Sequence, residues 1–247
     1  MNNLMKAEWF RLRHSGSSLW LVLFCGITAL AMQFIGDSSF SFDMVNFSTH
    51  SSLAILISAI GSVAAVSVTF NSRLVHYELM KGTPPMQTIL SKTLISLMLV
   101  TVTYYLPTVI LLAVFDGAHM SVSMAILFYV CIIKVTAVFQ ACCIIFKDYA
   151  ALAPIFFAFI FETVPLVLLQ NVAGLNVEPL APWFLGPQLM AIGDLSMIDM
   201  DELSMPLDAS YIGLKIVIST VVLAALFMAL AHRSLKNKWQ VHFITGE

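Results

Sequence analysis

Six apolar stretches, near residues 17–36, 51–71, 93–115, 122–146, 149–171 and 210–231, run through this chain of 247 residues. Each is long enough to cross a bilayer, which takes about 20 apolar residues. Only 11% of the residues are charged, against about a quarter in a soluble domain. A soluble core would not strip the charge from one run after another. The sequence therefore predicts an all-α integral membrane protein, folded as a single transmembrane domain over 1–247. No cleavable signal peptide is expected, because the first 14 residues are polar and amphipathic and the first apolar run is already of spanning length.

The basic residues sort to one side. Lys6, Arg11 and Arg13 precede the first span; Arg73, Lys81 and Lys92 separate the second from the third; Lys147 separates the fourth from the fifth; Arg233, Lys236 and Lys238 follow the sixth. The connections 37–50, 116–121 and 172–209 hold no Lys or Arg, yet carry Asp37, Asp43, Asp116, Glu178, Asp194, Asp199, Asp201, Glu202 and Asp208. Basic residues near span ends stay on the cytoplasmic side, so both termini are expected in the cytoplasm. Trp9, Trp20, Trp183 and Trp239 fall at interface depth in the same frame. Cys25, Cys131, Cys142 and Cys143 all lie in apolar spans without metal-ligand spacing. They read as small buried hydrophobes, and no disulfide or metal is expected.

Within 4–14, Met5, Trp9 and Leu12 share a helical stripe with Lys6 and Arg13 off it. This is the pattern of an interfacial helix lying in the headgroups; a basic tether that only fixes topology is the plainer alternative. The second span is rich in small residues, with Ala54, Ser58 and Ser62 on one line and Gly61 and Ala65 beside it. Such spacing lets helices approach closely in lipid, either within the subunit or across a dimer. Pro107 kinks or breaks the third span unless neighbours satisfy the freed carbonyls, and Pro154 and Pro165 make the fifth the span most prone to be discontinuous. In the external segment 172–209, "PLAPWFLGPQLMAIG" places Trp183, Phe184 and Leu189 among prolines, which predicts two short external helices dipping into the outer leaflet.

Several chemistries are missing. There is no GxxxxGK[ST] loop for a nucleotide, no HExxH, no GxSxG, and no pair of carboxylates within one span. An enzyme is not expected, nor a nucleic-acid partner. Two ionisable residues sit deep: Lys134 midway along the fourth span and Glu162 midway along the fifth. A charge at the bilayer centre costs roughly 2.5–3.5 kcal/mol or more, so such groups pair or line a cavity. The fourth and fifth spans are antiparallel across a short turn, which puts Lys134 and Glu162 at matching depth. They are candidates for a structural ion pair, for a neutral Glu162 bonded internally, or for a proton or substrate relay. Lys215 is expected to snorkel outward.

The connection 72–92 is the most informative piece. Arg73 to Lys81 can continue the second helix, and Gly82 suits its C-terminal cap. Thr83 then caps a new helix that has Pro84 at its first position and Pro85 in its first turn, with Met86, Ile89 and Leu90 apolar. The expected product is a short rigid helix lying under the membrane. An ordinary loop would need no such rigidity.

Together, the basic amphipathic "LMKAEWFRLR", six spans with both ends inside, "E-x-x-x-G-T" (Glu78, Gly82, Thr83) after the second span and Lys92 opening the third resemble the permease subunits of ATP-binding-cassette type-2 exporters. The resemblance covers essentially the whole chain. Its size and lack of a fused ATPase look most like small permeases that confer self-immunity to lantibiotics or bacitracin in the bacterial cytoplasmic membrane. The resemblance implies that 72–92 is a cytoplasmic coupling helix docking on a separate ATPase subunit through Glu78, Lys81, Gly82, Thr83, Pro84 and Pro85. It also implies ATP and Mg bound only by that partner, a second permease subunit (identical or homologous), and an amphipathic antimicrobial peptide or lipid-like antibiotic as substrate. A secondary transporter driven by an ion gradient, with Lys134 and Glu162 as its relay, is the rival from another class; a non-transporting membrane anchor or sensor subunit is a third.

Overall fold

The computed structural model describes residues 2–34, 44–71, 78–79, 82–115, 121–173, 179–192, 197–198, 205–206 and 211–241. Helix α1 (Asn2–His14) meets α2 (Gly16–Met32) at 86° across Ser15. The bend matches a helix that lies flat before the chain turns upward. Of the predicted stripe, Leu12 is buried and Met5 packs beside it, against Val22, Ala65, Val66, Ile95 and Leu99, while Trp9 is half exposed. One face of α1 thus grips the bundle and the other is left for headgroups.

Helix α3 (Met44–Asn71) is the most enclosed of the five spans, with 72% of its apolar window buried, against 22% in the last span. The small-residue face explains this. Ala54, Ser58, Ser62 and Ala65 are all buried inside this one chain. A Cβ added at Gly61 would stand 2.5 Å from the Cβ of Cys25 on α2. The small residues are thus used within the subunit rather than kept for a second copy.

After Gly82 the chain forms α4 (Pro85–Val100), a π-helical turn (Thr101–Tyr105) and α5 (Leu106–Phe115), which together make one span of 31 residues. Two expectations need correction here. The helix after the elbow is not a separate piece under the membrane but runs straight into the third span. Its N-cap is Pro84 rather than Thr83, with Pro85 at the first helical position and no side-chain cap bond. Pro107 does not break the span, because the wider π turn just ahead of it absorbs the missing backbone bond: Leu106 N–H donates to the Thr101 carbonyl five residues back.

Helix α6 (Val122–Phe146) is capped by Ser121, whose hydroxyl accepts from Met124 N–H at 3.2 Å. It ends at Lys147 in the left-handed region (φ 61°), and Asp148 then caps a 3₁₀ turn (Tyr149–Ala151) that reverses the chain. The fifth span is discontinuous, as its prolines suggest: α7 (Leu152–Ile160) stops, residues 161–163 turn, and α8 (Val164–Ala173) resumes. Glu162 sits in that break.

The segment before the last span departs from expectation. Its described residues form one 3₁₀ turn (Ala181–Trp183) and one eight-residue helix, α9 (Leu185–Ile192), which does not float in lipid. Leu185, Leu189 and Ile192 are buried in the main core with residues of α3 and α6. Trp183 stays 39% exposed at the edge, with Phe184 half-buried. Beyond it, β1 (Met197–Ile198) and β2 (Met205–Pro206) form a two-residue antiparallel pairing. Helix α10 (Ile212–Val241) closes the fold along α6.

Five of these helical stretches are long and apolar enough to cross a membrane, six if the bent α1–α2 pair counts as one. Their outward faces carry large apolar side chains, among them Trp20 (73% exposed), Phe24 (69%) and Val114 (70%), as a lipid-facing surface requires. The buried polar groups face inward. Ser96 Oγ donates to Gln140 Oε1 at 2.9 Å, and Gln140 Nε2 donates to Ser67 Oγ at 3.4 Å, tying α3, α4 and α6.

Candidate functional site

Two polar constellations stand out from the apolar bundle, one at the elbow end and one in its interior. At the elbow, Gly82 adopts φ +80°, a conformation that L side chains rarely adopt. Gly82 N–H donates to the Leu79 carbonyl at 3.0 Å and Thr83 N–H to the Glu78 carbonyl at 3.2 Å. Those paired bonds are the Schellman motif, with glycine at its left-handed position. The motif halts the preceding helical turn and aims the chain at Pro84-Pro85. Pro84, Met86 and Gln87 are exposed, with Thr83 and Pro85 half-buried, so this corner presents a defined surface. Lys81 lies outside the described residues, as do 72–77.

A cluster of four charged side chains holds the corner in place. Lys92, at the start of the third turn of α4, is fully buried and donates its ammonium to Glu8 Oε1 of α1, itself 1% exposed. The same oxygen is ion-paired with Arg11 Nη2 at 2.7 Å, and Arg11 Nη2 donates to Glu78 Oε1 at 2.8 Å. The series Lys92–Glu8–Arg11–Glu78 therefore clamps α1 to both sides of the elbow. Burying one charge alone at this site would be expensive, and the alternation of sign is what makes the cluster tolerable. The elbow cannot shift without α1 following, because the buried Lys92–Glu8 pair would be pulled apart. Sequence reasoning did not pair Glu8 with Lys92. The available signal was that Glu8 is the only acidic residue in α1, set among Lys6, Arg11 and Arg13, while Lys92 is the only charged residue in α4.

The second constellation is built around Lys134, 1% exposed on α6. The direct ion pair expected with Glu162 is not formed among the described residues. Lys134 donates its ammonium instead to Gln188 Oε1 of α9. Gln188, fully buried, donates its own amide to the Pro182 carbonyl at 2.9 Å and to Ser219 Oγ of α10 at 3.0 Å. Glu162 Oε1 accepts from Gly186 N–H at 2.7 Å, so the broken fifth span supplies an acceptor for the first turn of α9. Lys134 and Glu162 nevertheless share one cavity of about 370 Å³, with Ser219 as its third polar group. Gln188 was missed because nothing in the sequence marks it apart from its neighbours; its importance comes from α9 being folded inward. No three His, Cys, Asp or Glu side chains converge to hold a metal among the described residues.

Comparison with protein-family models, with curated proteins and with solved structures returns no match.

Proposed function

We propose that this chain is the membrane-spanning permease subunit of an ATP-binding-cassette exporter, working with separate ATPase subunits and a second permease subunit in a bacterial cytoplasmic membrane. The observation that carries the reading is the elbow. A sharp glycine-capped corner with an exposed apolar and polar surface is tied to the flat helix α1 by the Lys92–Glu8–Arg11–Glu78 series, which is buried at its Lys92–Glu8 end. A corner that serves only to connect two spans needs no such clamp. One that receives a push from an ATPase does, since a soft corner would absorb the displacement instead of tilting α3 and α4. Both termini and the elbow then face the cytoplasm, following the distribution of basic residues. The substrate class that fits the apolar bundle is an amphipathic antimicrobial peptide or lipid-like antibiotic, extruded from the membrane.

The test is recovery of an ATPase subunit. A tagged chain is drawn from membranes solubilised in a mild detergent, and ATP hydrolysis is measured in the eluate. Wild type should bring an ATPase with it. Gly82→Pro and Glu78→Lys should insert normally and lose it, with loss of resistance to the exported compound. Equal recovery and equal resistance in both variants would contradict the docking role. An ion-gradient-driven transporter is the second reading, favoured only by Lys134 and Glu162 sharing a cavity. It predicts transport that survives loss of the ATPase.

A further inference from the structure

The cavity beside Lys134 has an unmet chemical capacity. An ammonium has three N–H donors, and the hydrogen-bond acceptor for Lys134 among the described residues is Gln188 Oε1. The amide nitrogen of Gln188 is already committed to Pro182 and Ser219. Glu162, the carboxylate that lines the same cavity, is engaged at the start of α9 by Gly186 N–H. A cation that is 1% exposed thus lines a cavity of about 370 Å³ with hydrogen-bonding directions to spare. Small-molecule sites occupy about 300–1,000 Å³ and combine apolar walls with a few fixed polar groups.

The walls specify the rest of the occupant. Phe159, Trp183, Val222 and Leu223 line the cavity. Val222 is 57% exposed on the outer face of α10 and Trp183 is 39% exposed at the edge, so the opening lies at the apolar surface of the bundle. An anion without an apolar chain would gain little here, because Glu162 offsets much of the attraction to Lys134 and the walls would stay uncovered.

We propose that this cavity binds one anionic amphiphile, with its carboxylate or phosphate on the Lys134 ammonium and its alkyl chain against Phe159, Val222 and Leu223. The site requires no ATPase and stands apart from the exporter reading. Charge-assisted bonds from a buried ammonium give the anion its preference over a neutral head, and burial of the chain gives the affinity.

The experiment uses the purified full-length chain in dodecyl maltoside with dansyl-undecanoic acid as probe, read by energy transfer from tryptophan and corrected for probe in empty micelles. Wild type should bind the acid saturably and about tenfold more tightly than the methyl ester of the same probe. Inorganic phosphate should not displace it. Lys134→Gln should weaken the acid about tenfold and leave the ester unchanged, while Leu223→Trp, which fills the chain site, should weaken both. If Lys134→Gln does not elute as a single peak, the acid–ester comparison on wild type and the Leu223→Trp variant decide. Equal affinity for acid and ester, non-saturable uptake, displacement by phosphate alone, or unchanged binding in Leu223→Trp would each overturn the proposal.

Discussion

Single residues decide where charge survives in this bundle. Lys92 and Glu8 are both buried, so removing either leaves the other without its main partner at a cost of about 3–5 kcal/mol, whereas removing both is far milder. Lys92→Met and Glu8→Gln should each lower the thermal midpoint of the detergent-solubilised protein, and the double variant should recover most of the loss. Additive losses, measured by the fraction remaining monodisperse after heating, would show that the two do not act as a pair. In the interior, Lys134→Met with Gln188→Leu should show a coupling of about 1–3 kcal/mol. Lys134→Met with Glu162→Gln should show a smaller one, because those two groups bond to separate partners. A larger coupling for Lys134 with Glu162 than with Gln188 would reverse the assignment. This corrects what spacing alone suggested. Matching depth on adjacent spans placed Lys134 and Glu162 at one cavity, but only the inward fold of α9 reveals that Gln188 takes the ammonium.

At the scale of elements, close approach is bought with small side chains. Gly61 has no room for a Cβ against Cys25, and Gly26 would place one 2.9 Å from the Cβ of Thr103. Gly61→Ala should destabilise the α2–α3 contact by about 1–3 kcal/mol, the range for overpacking. Cys25→Gly introduced into that variant should restore part of it by returning the space from the other helix. Thermal midpoints of the three proteins test this; no recovery in the double variant would place the strain elsewhere. The small-residue spacing was legible because it is local to one helix, as were the discontinuous fifth span at its prolines and the glycine cap at Gly82. The continuity of α4 was not legible. Pro84-Pro85 suggested a short separate helix, but proline is harmless at the N-cap and first turn, and what lies beyond is decided by packing against α1 and α6. The short helix α9 was visible as an apolar phrase between prolines, yet its burial is tertiary.

For the whole molecule, hydropathy announces the architecture because lipid leaves a chain few choices: five or six apolar helices with their large side chains turned outward. The same constraint says little about use, since lipid-facing surfaces look alike in transporters and anchors. Among the described residues, the feature on which the exporter reading rests is the corner at the α4 start, clamped by four charges. The exporter account requires an ATPase subunit to sit on that corner, so the most direct measurement is a contact map by cross-linking. A chain whose four native cysteines are replaced receives a single cysteine at Gln87, on the exposed elbow, or at Ser123, exposed where α6 begins at the other end of the bundle. A short bis-maleimide is then added to mild-detergent membrane extracts. The account predicts an adduct to an ATPase subunit from position 87, increased when ATP is bound, and none from position 123. An ATPase that co-purifies yet never cross-links at position 87, or that cross-links at position 123, would contradict it.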